Sequence, residues 1–449
     1  GHTTMTSHLH TPLRPAAPPQ PAPLATDSGW HPRHLLWAPH RLGFFLATVL
    51  LLVSGGWWAG VQIDRLGWLG GGSGWHLAYA LSPSLAHGAV MTFGFMPLFF
   101  AGFLFTAGPK WLGVPAPDAR QLLPALGLQT AGWLLWLTGT HLAEHLALAG
   151  GALALAGLGW MYGLFWRLVR ASRAPDRMHA LAVGWAGVFG MLCLLAVLLA
   201  QTGGHTDLAL AAVKTGLWGG VVVTFVAVLH RMLPFFTSSA LPMIGVWRPA
   251  WVFWLLLGIV GLELLAVWQP LWAAAQSDNP QITRLWMLVL GLGELAAGSV
   301  VLWLAVVWGL VQSLKVRLLA MLHLGFLWLS LSLLLSGASQ LLGMRTGAPL
   351  LGLGAMHAMT MGFLGSLLLA MVTRVSSGHS GRPLVADNRV WAVFCLLQVA
   401  VLVRIAASLP HMPGWGLALA ASLWALLMAL WGGRLLVWYG QPRADGRPD

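Results

Sequence analysis

The sequence predicts an all-α, polytopic membrane protein with about twelve transmembrane helices. Three observations carry that expectation. Of its 449 residues, 58% are hydrophobic and only 8% are charged, with a mean hydropathy of +0.76. Apolar runs long enough to cross a hydrocarbon core about 30 Å thick, which needs about 20 residues each, recur along the chain. When alternate loops are placed on opposite faces, Lys and Arg collect on one of them, the positive-inside pattern.

Residues 1–40 hold eight prolines and six of the 17 histidines without apolar periodicity, which predicts a flexible, Pro/His-rich cytoplasmic tail. The opening Gly1-His2-Thr3-Thr4 before Met5 reads as an expression remnant. No signal peptide is expected, because the first long apolar run starts near Leu42 and should stay as a span. The predicted spans run near 42–61, 84–108, 124–146, 149–168, 178–201, 207–230, 250–269, 284–312, 317–342, 350–373, 390–409 and 415–438, so residues 41–440 form one transmembrane domain and 441–449 a short cytoplasmic tail. With a cytoplasmic amino terminus, all of the 24 Lys and Arg residues lie inside except Arg65, Lys214, Arg284, Arg345 and Arg404. Two of those, Lys214 and Arg404, fall within apolar segments. An even number of spans makes both termini cytoplasmic.

Many of the 27 tryptophans, among them Trp57, Trp58, Trp68, Trp75, Trp111, Trp415 and Trp438, stand near segment ends, where interfacial belts form. The net charge of +12 does not imply a nucleic-acid partner, because its residues sit in short loops on one side. Cys193 and Cys395 are far apart inside apolar runs and give neither a disulfide framework nor a haem attachment site. Met178–Gly187 (MHALAVGWAG) and Met356–Gly365 (MHAMTMGFLG) share five of ten positions on helices of opposite direction, a faint echo that suits an inverted repeat.

The chemistry resides in polar groups inside these runs. All three glutamates, Glu144, Glu263 and Glu294, lie there, where an ionisable group costs a few kcal/mol and marks a pathway, partner or cofactor. Glu263 and Glu294 suit either a proton relay or an ion pair with Lys214 or Arg404. The topology sorts histidines by depth: His76, His87, His141, His145, His205, His357 and His411 toward the outer face, and His179, His230, His323 and His379 toward the inner. His87 precedes Met91, and His357 precedes Met361, by four residues, so each pair projects from one helical face. Imidazole and thioether suit haem iron or copper. His141-Leu142-Ala143-Glu144-His145 matches a zinc-peptidase signature, H-x-x-E-H, but no third ligand or water-filled cleft accompanies it. A helix end with Glu144 paired to a histidine fits it better.

Several stretches together resemble one family. They are His87 to Gly113 (HGAVMTFGFMPLFFAGFLFTAGPKWLG), His230-Arg231-Met232-Leu233-Pro234-Phe235-Phe236, His323-Leu324-Gly325, His357-Ala358-Met359-Thr360-Met361-Gly362 on to Thr373-Arg374, and Gly378-His379-Ser380-Gly381-Arg382-Pro383-Leu384. Over roughly residues 33–440 the chain is similar to the NnrS family of bacterial inner-membrane proteins. The resemblance implies twelve transmembrane helices, haem and copper, and a role in nitric oxide metabolism or tolerance alongside denitrification. It points to His87, His230, His323, His357 and His379 as the motif histidines. Arg41-Leu42-Gly43-Phe44-Phe45, where Arg-Pro-Phe-Phe is expected, and Lys110, where an uncharged polar residue is common, depart from the family pattern without touching a proposed ligand.

These readings together give a set of expectations. An outer site uses His87 and His357, supported by Met91 and Met361. An inner set, His230, His323, His179 and His379, forms a second site or holds haem propionates, with Arg231, Arg374 and Arg382 on the same side as carboxylate-binding groups. The expected cofactors are haem b and copper, or a second iron. The expected activity is reduction of nitric oxide to nitrous oxide with electrons from quinol or another carrier, and Glu294, Glu263 and Glu144 as proton carriers. Two other classes stay open: a haem-based NO binder without turnover, and a transporter whose buried charges line a solute path.

Overall fold

The computed structural model describes residues 29–276 and 279–449, and among them every regular element is helical. Twelve long helical segments account for nearly all of the body: α1 Pro39–Arg65, α2 Pro83–Leu104, α3 Ala119–Leu142, α4 Glu144–Ala171, α5 Met178–Thr202, α6 Thr206–Ala240, α7 Ala250–Gln276, α8 Pro280–Val307, α9 Arg317–Leu342, α10 Gly354–His379, α11 Asn388–Ala407 and α12 Trp415–Tyr439. Eleven of them are long and apolar enough to cross a membrane. The exception is α3, a 24-residue helix that carries Gln129, Thr130, Thr138 and Thr140 and packs along α4.

Local chemistry sets the helix ends. Pro83 opens α2 behind Ser82, whose hydroxyl accepts from the Leu85 amide, and Asp387 accepts from the Val390 amide at the start of α11. Asn279 and Pro280 do the same for α8. Inside α2 the ladder breaks at Gly94, three residues before Pro97, whose ring lacks an N–H and crowds the carbonyl four residues back. Two segments are wound as π-helix, Leu217–Val222 in α6 and Ala358–Leu364 in α10. Such wide turns are rare and concentrate at functional sites.

Short connections make successive helices alternate in direction. The α3–α4 hairpin shows it directly: a Cβ on Gly132 would lie 2.5 Å from the Gly150 carbonyl oxygen, and one on Gly157 2.6 Å from that of Ala125, so the backbones touch along antiparallel axes. Only glycine allows that approach, a common device where lipid offers no hydrophobic drive between helices. One end of the bundle therefore gathers the starts of the odd-numbered helices with His40, His179, His230, His323 and His379. The other gathers Trp58, His87, His141, His357 and Arg404.

The chain before α1 is held to the bundle sooner than residue 41. Residues Pro32–Leu36 form a short 3₁₀ turn, the His31 amide donates to the Gly440 carbonyl at 3.0 Å, and Trp30 Nε1 donates to the Leu436 carbonyl at 3.0 Å. At the same end Arg41 is buried, paired with Asp449 and donating to the Tyr439 and Gln441 carbonyls. Residues 1–28, the greater part of the expected flexible tail, lie outside the described residues.

Candidate metal centre

At one end of the bundle α2 and α10 bring His87 and His357 together. Their ring centroids are 6.5 Å apart and their planes lie within 3° of parallel. Two metal–imidazole bonds of about 2.0 Å, added to two ring radii, span roughly 6 Å, close to this separation. His357 Nδ1–H donates to the Leu353 carbonyl at 2.9 Å, which leaves Nε2 as the ring's lone pair. Metal-binding imidazoles are commonly oriented by such a bond to a backbone oxygen. His87 Nδ1 is buried without a hydrogen-bond partner. Trp58 of α1 stacks on His87 at 3.8 Å and 8°, and the Arg65 guanidinium lies over Trp58 at 5.1 Å.

The methionines differ. Met91 sits one regular turn beyond His87. Met361 lies in the π-wound Ala358–Leu364, where i→i+5 bonding widens the turn, so the four-residue spacing no longer places it on the face of His357. It is buried in the core at 8% exposure.

The connection between α1 and α2 packs beside this site. Asp64 accepts from the Leu77 amide at 2.9 Å and from the Tyr79 hydroxyl at 3.0 Å. Burial first, and then this bond to a carboxylate, push the Tyr79 hydroxyl up to about 12. His141 donates from Nδ1 to the Ala78 carbonyl at 2.9 Å and accepts from Trp57 Nε1 at 2.8 Å. Both ring nitrogens are thus committed, which removes His141 from any zinc site built on His141–His145. Glu144 is not paired with a histidine: it accepts from Gln201 Nε2 at 3.4 Å, because α5 ends beside the start of α4. Trp57 and Trp58, near the end of α1, each contact a histidine, His141 and His87 respectively.

The inner histidines divide into three groups. His179 and His230 meet at 2.8 Å, Nε2 to Nδ1, and His230 Nε2 reaches the Pro249 carbonyl at 3.1 Å. The carbonyl can only accept, so His230 Nε2 carries the hydrogen and His230 Nδ1 accepts from His179 Nε2–H. His179 Nδ1 then remains buried without a partner. His323 is wholly buried on α9. The Thr237 hydroxyl donates to the Leu233 carbonyl at 2.8 Å and accepts from His323 Nε2–H at 2.8 Å, which leaves His323 Nδ1 unpartnered. His379 stands apart from both, 4.6 Å from the ring of His40. Sixteen residues of α6 separate Lys214, near His357, from His230, roughly 24 Å at about 1.5 Å per residue, so the outer and inner sets are separate places.

Beside the inner set, α2, α6, α9 and α10 line a small, partly open apolar gap of ≈ 40 Å³, walled by Phe100, Phe103, Met232, Phe236, Leu322 and Met371, among others. The Arg374 guanidinium lies over Phe236 at 4.1 Å, at the edge of the gap. Arg231 lies over Trp111 at 4.8 Å, and Arg382 over Trp438 at 4.0 Å, away from it.

Glu263 and Glu294 face each other between α7 and α8, with Ser336 and Gln340 of α9 beside Glu294. Both are buried, and Glu263 Oε1 and both Glu294 oxygens lack a well-formed hydrogen bond. Neither is paired with Lys214 or Arg404. Those cations lie near His357 instead, where their charges act on it.

Among the described residues no group of three or more His, Cys, Asp or Glu side chains could hold a metal ion. Sequence reasoning reached His87 and His357 through their shared depth and spacing. It missed Trp58 and Thr237, which carry no signal beyond an aromatic near a helix end and a threonine in an apolar run. Comparison with curated proteins and with solved structures returned no match. The NnrS protein family model matches residues 34–443, nearly the whole chain, and the chain belongs to that family.

Proposed function

We propose that this protein handles nitric oxide in the bacterial inner membrane, with both termini cytoplasmic, and reduces it to nitrous oxide at a metal held by His87 and His357. The observation that carries the reading is the near-parallel imidazole pair at 6.5 Å, with one ring oriented by the Leu353 carbonyl and the other bearing an unpartnered nitrogen. With two protein ligands, His87 and His357, the site would suit haem b better than a metal that needs three or four side chains. Bound there by His87 and His357, iron would supply the redox chemistry. Copper or a second iron would draw on the inner histidines, where His179 Nδ1 and His323 Nδ1 are uncommitted in two separate groups. His230, engaged at both nitrogens, orients His179. His379 and Arg382 belong to a neighbouring cluster with His40 and Trp438.

The overall reaction balances as two NO, two electrons and two protons giving N₂O and water. Glu263 and Glu294 are proton carriers in this reading, since two facing carboxyls in apolar surroundings can pass a proton between them. Glu144, hydrogen-bonded to Gln201 near a helix end, would receive protons from the aqueous side. Quinol or another carrier supplies electrons, and NO enters through the lipid.

Anaerobic N₂O formation from NO by detergent-purified protein with a quinol or artificial reductant tests the reading. Tight NO binding without N₂O would establish the second reading, a non-catalytic sink. A purified protein without a haem Soret band would remove both.

A further inference from the structure

The end of the bundle that holds His87 and His357 carries two half-buried cations that form no ion pair among the described residues. Lys214 of α6 and Arg404 of α11 are both half-buried within membrane-spanning helices. A Cβ on Gly88, next to His87, would stand 3.3 Å from Val213, next to Lys214. A Cβ on Gly354, one turn before His357, would stand 2.9 Å from Ser408, whose hydroxyl receives a hydrogen bond from Arg404. The two cations thus flank the imidazoles from two sides. The charges of Arg404 and Lys214 act on His357, and those of Arg404 and Arg65 on His87. Among the described residues no carboxylate, Asp207 of α6 included, forms an ion pair with Lys214 or Arg404. Asp64 is engaged with Leu77 and Tyr79, Glu144 with Gln201, and Glu263 and Glu294 with each other. Among the described residues Lys214 has no hydrogen bond or ion pair, and Arg404 has only Ser408. A buried charge without a counter-charge is costly, so its retention calls for an anion. The π-wound segments begin three residues after Lys214 and immediately after His357, so both turns widen around the same place.

We propose that Lys214 and Arg404 form an anion-binding pair that neutralises negative charge on whatever His87 and His357 hold. This rests on the reading of those imidazoles as a ligand pair. The chemistry is a carboxylate or a small inorganic anion, and it has two sources: the acidic side groups of a bound macrocycle, or a free anion beside the metal.

The test uses full-length protein purified in detergent, with Lys214→Met, Arg404→Met, the charge-keeping Lys214→Arg and the remote Arg248→Met. Azide is the anionic probe and carbon monoxide, on the reduced protein, the neutral one. If the source is a free anion, azide affinity falls about tenfold in each Met variant while carbon monoxide affinity is unchanged, and Lys214→Arg and Arg248→Met keep the parent values. If the source is the macrocycle, haem content falls in the Met variants while azide affinity in the loaded fraction stays at the parent value. Unchanged haem content and unchanged azide affinity in both Met variants would overturn the pair, leaving cations that reach the interface. Should the parent protein carry neither haem nor metal, the function proposed above fails. Azide-dependent thermal stabilisation of that protein then decides the anion pair separately: stabilisation lost in the Met variants upholds it, and none in the parent overturns it.

Discussion

Replacing Thr237 by valine tests the inner histidine assignment without touching a proposed ligand. The two side chains have nearly the same shape, so the perturbation is the hydroxyl alone. In the native protein that oxygen accepts from His323 Nε2–H and donates to the Leu233 carbonyl, each at 2.8 Å, and both residues are wholly buried. Valine leaves the Leu233 carbonyl with its helical partner but strands the imidazole N–H. An orphaned buried donor costs about 1–3 kcal/mol in soluble proteins. Hydrogen bonds between membrane helices measured by double-mutant cycles average about 0.6 and reach about 1.7 kcal/mol. Complete burial places this pair at the upper end, so we expect Thr237→Val to cost about 1–2 kcal/mol, with most of that loss absent in a His323→Leu background. Reversible unfolding of the full chain in SDS/detergent mixtures, run as a cycle over the parent, both single variants and the double variant, reads the coupling. A coupling of zero within error would refute the assigned hydrogen position, and with it the inference that Nδ1 is the nitrogen left for a ligand.

His87→Ala and His357→Ala should each lower bound haem or metal while the protein still inserts, because helix hydrophobicity is untouched; quantitative haem and metal analysis checks this, and full retention in both variants would remove the outer site. Glu294→Gln should slow NO turnover several-fold while leaving cofactor content at the parent level, and unchanged turnover would take the carboxyl pair off the proton path. The Asp387 carboxylate, held below its ordinary value of 3.8 mainly by its bond from Arg434, contributes stability that is complete above that value and is lost as pH falls through the lower folded one. Thermal scans of the parent and Arg434→Gln should therefore differ at pH 6 and converge toward pH 2.

The bundle was legible because hydrocarbon imposes a simple rule, a run of apolar residues per crossing, and the predicted segments fall on the twelve long helices. The pairing of His87 with His357 was legible as shared depth near the same end of two helices that run in one direction. Depth alone could not assign partners within a layer. It put His379 with His230, whereas packing puts it beside His40, and it left Glu263 and Glu294 between a proton relay and an ion pair with Lys214 or Arg404, whereas packing sets them facing each other. Periodicity also assumed regular α-turns, so the wide turn at Ala358–Leu364 shifted Met361 off the expected face. Trp58 looked like every other tryptophan at a helix end until α2 placed His87 against it.

The contrast among the histidines is the strongest argument that these polar groups, at both ends of the bundle, exist for ligands. His141 and His230 have both ring nitrogens engaged, as a buried structural histidine should. His87, His179 and His323 each bury one nitrogen with nothing to bond, and each orphan costs stability that a hydrogen-bonded or apolar replacement would restore. An orphan nitrogen alone proves little, since His34 has one at Nε2 while bonded to Gly440 through Nδ1. What separates the other three is their setting. His87 faces a second imidazole across 6.5 Å, His179 is turned by a second imidazole held on a carbonyl, and His323 is turned by a hydroxyl held on another. In the last two the donor nitrogen is fixed by a partner that is itself fixed, so the lone pair is aimed rather than merely unpaired. Packing could have satisfied these rings as it satisfied His141, and a chain under pressure only to fold would have done so.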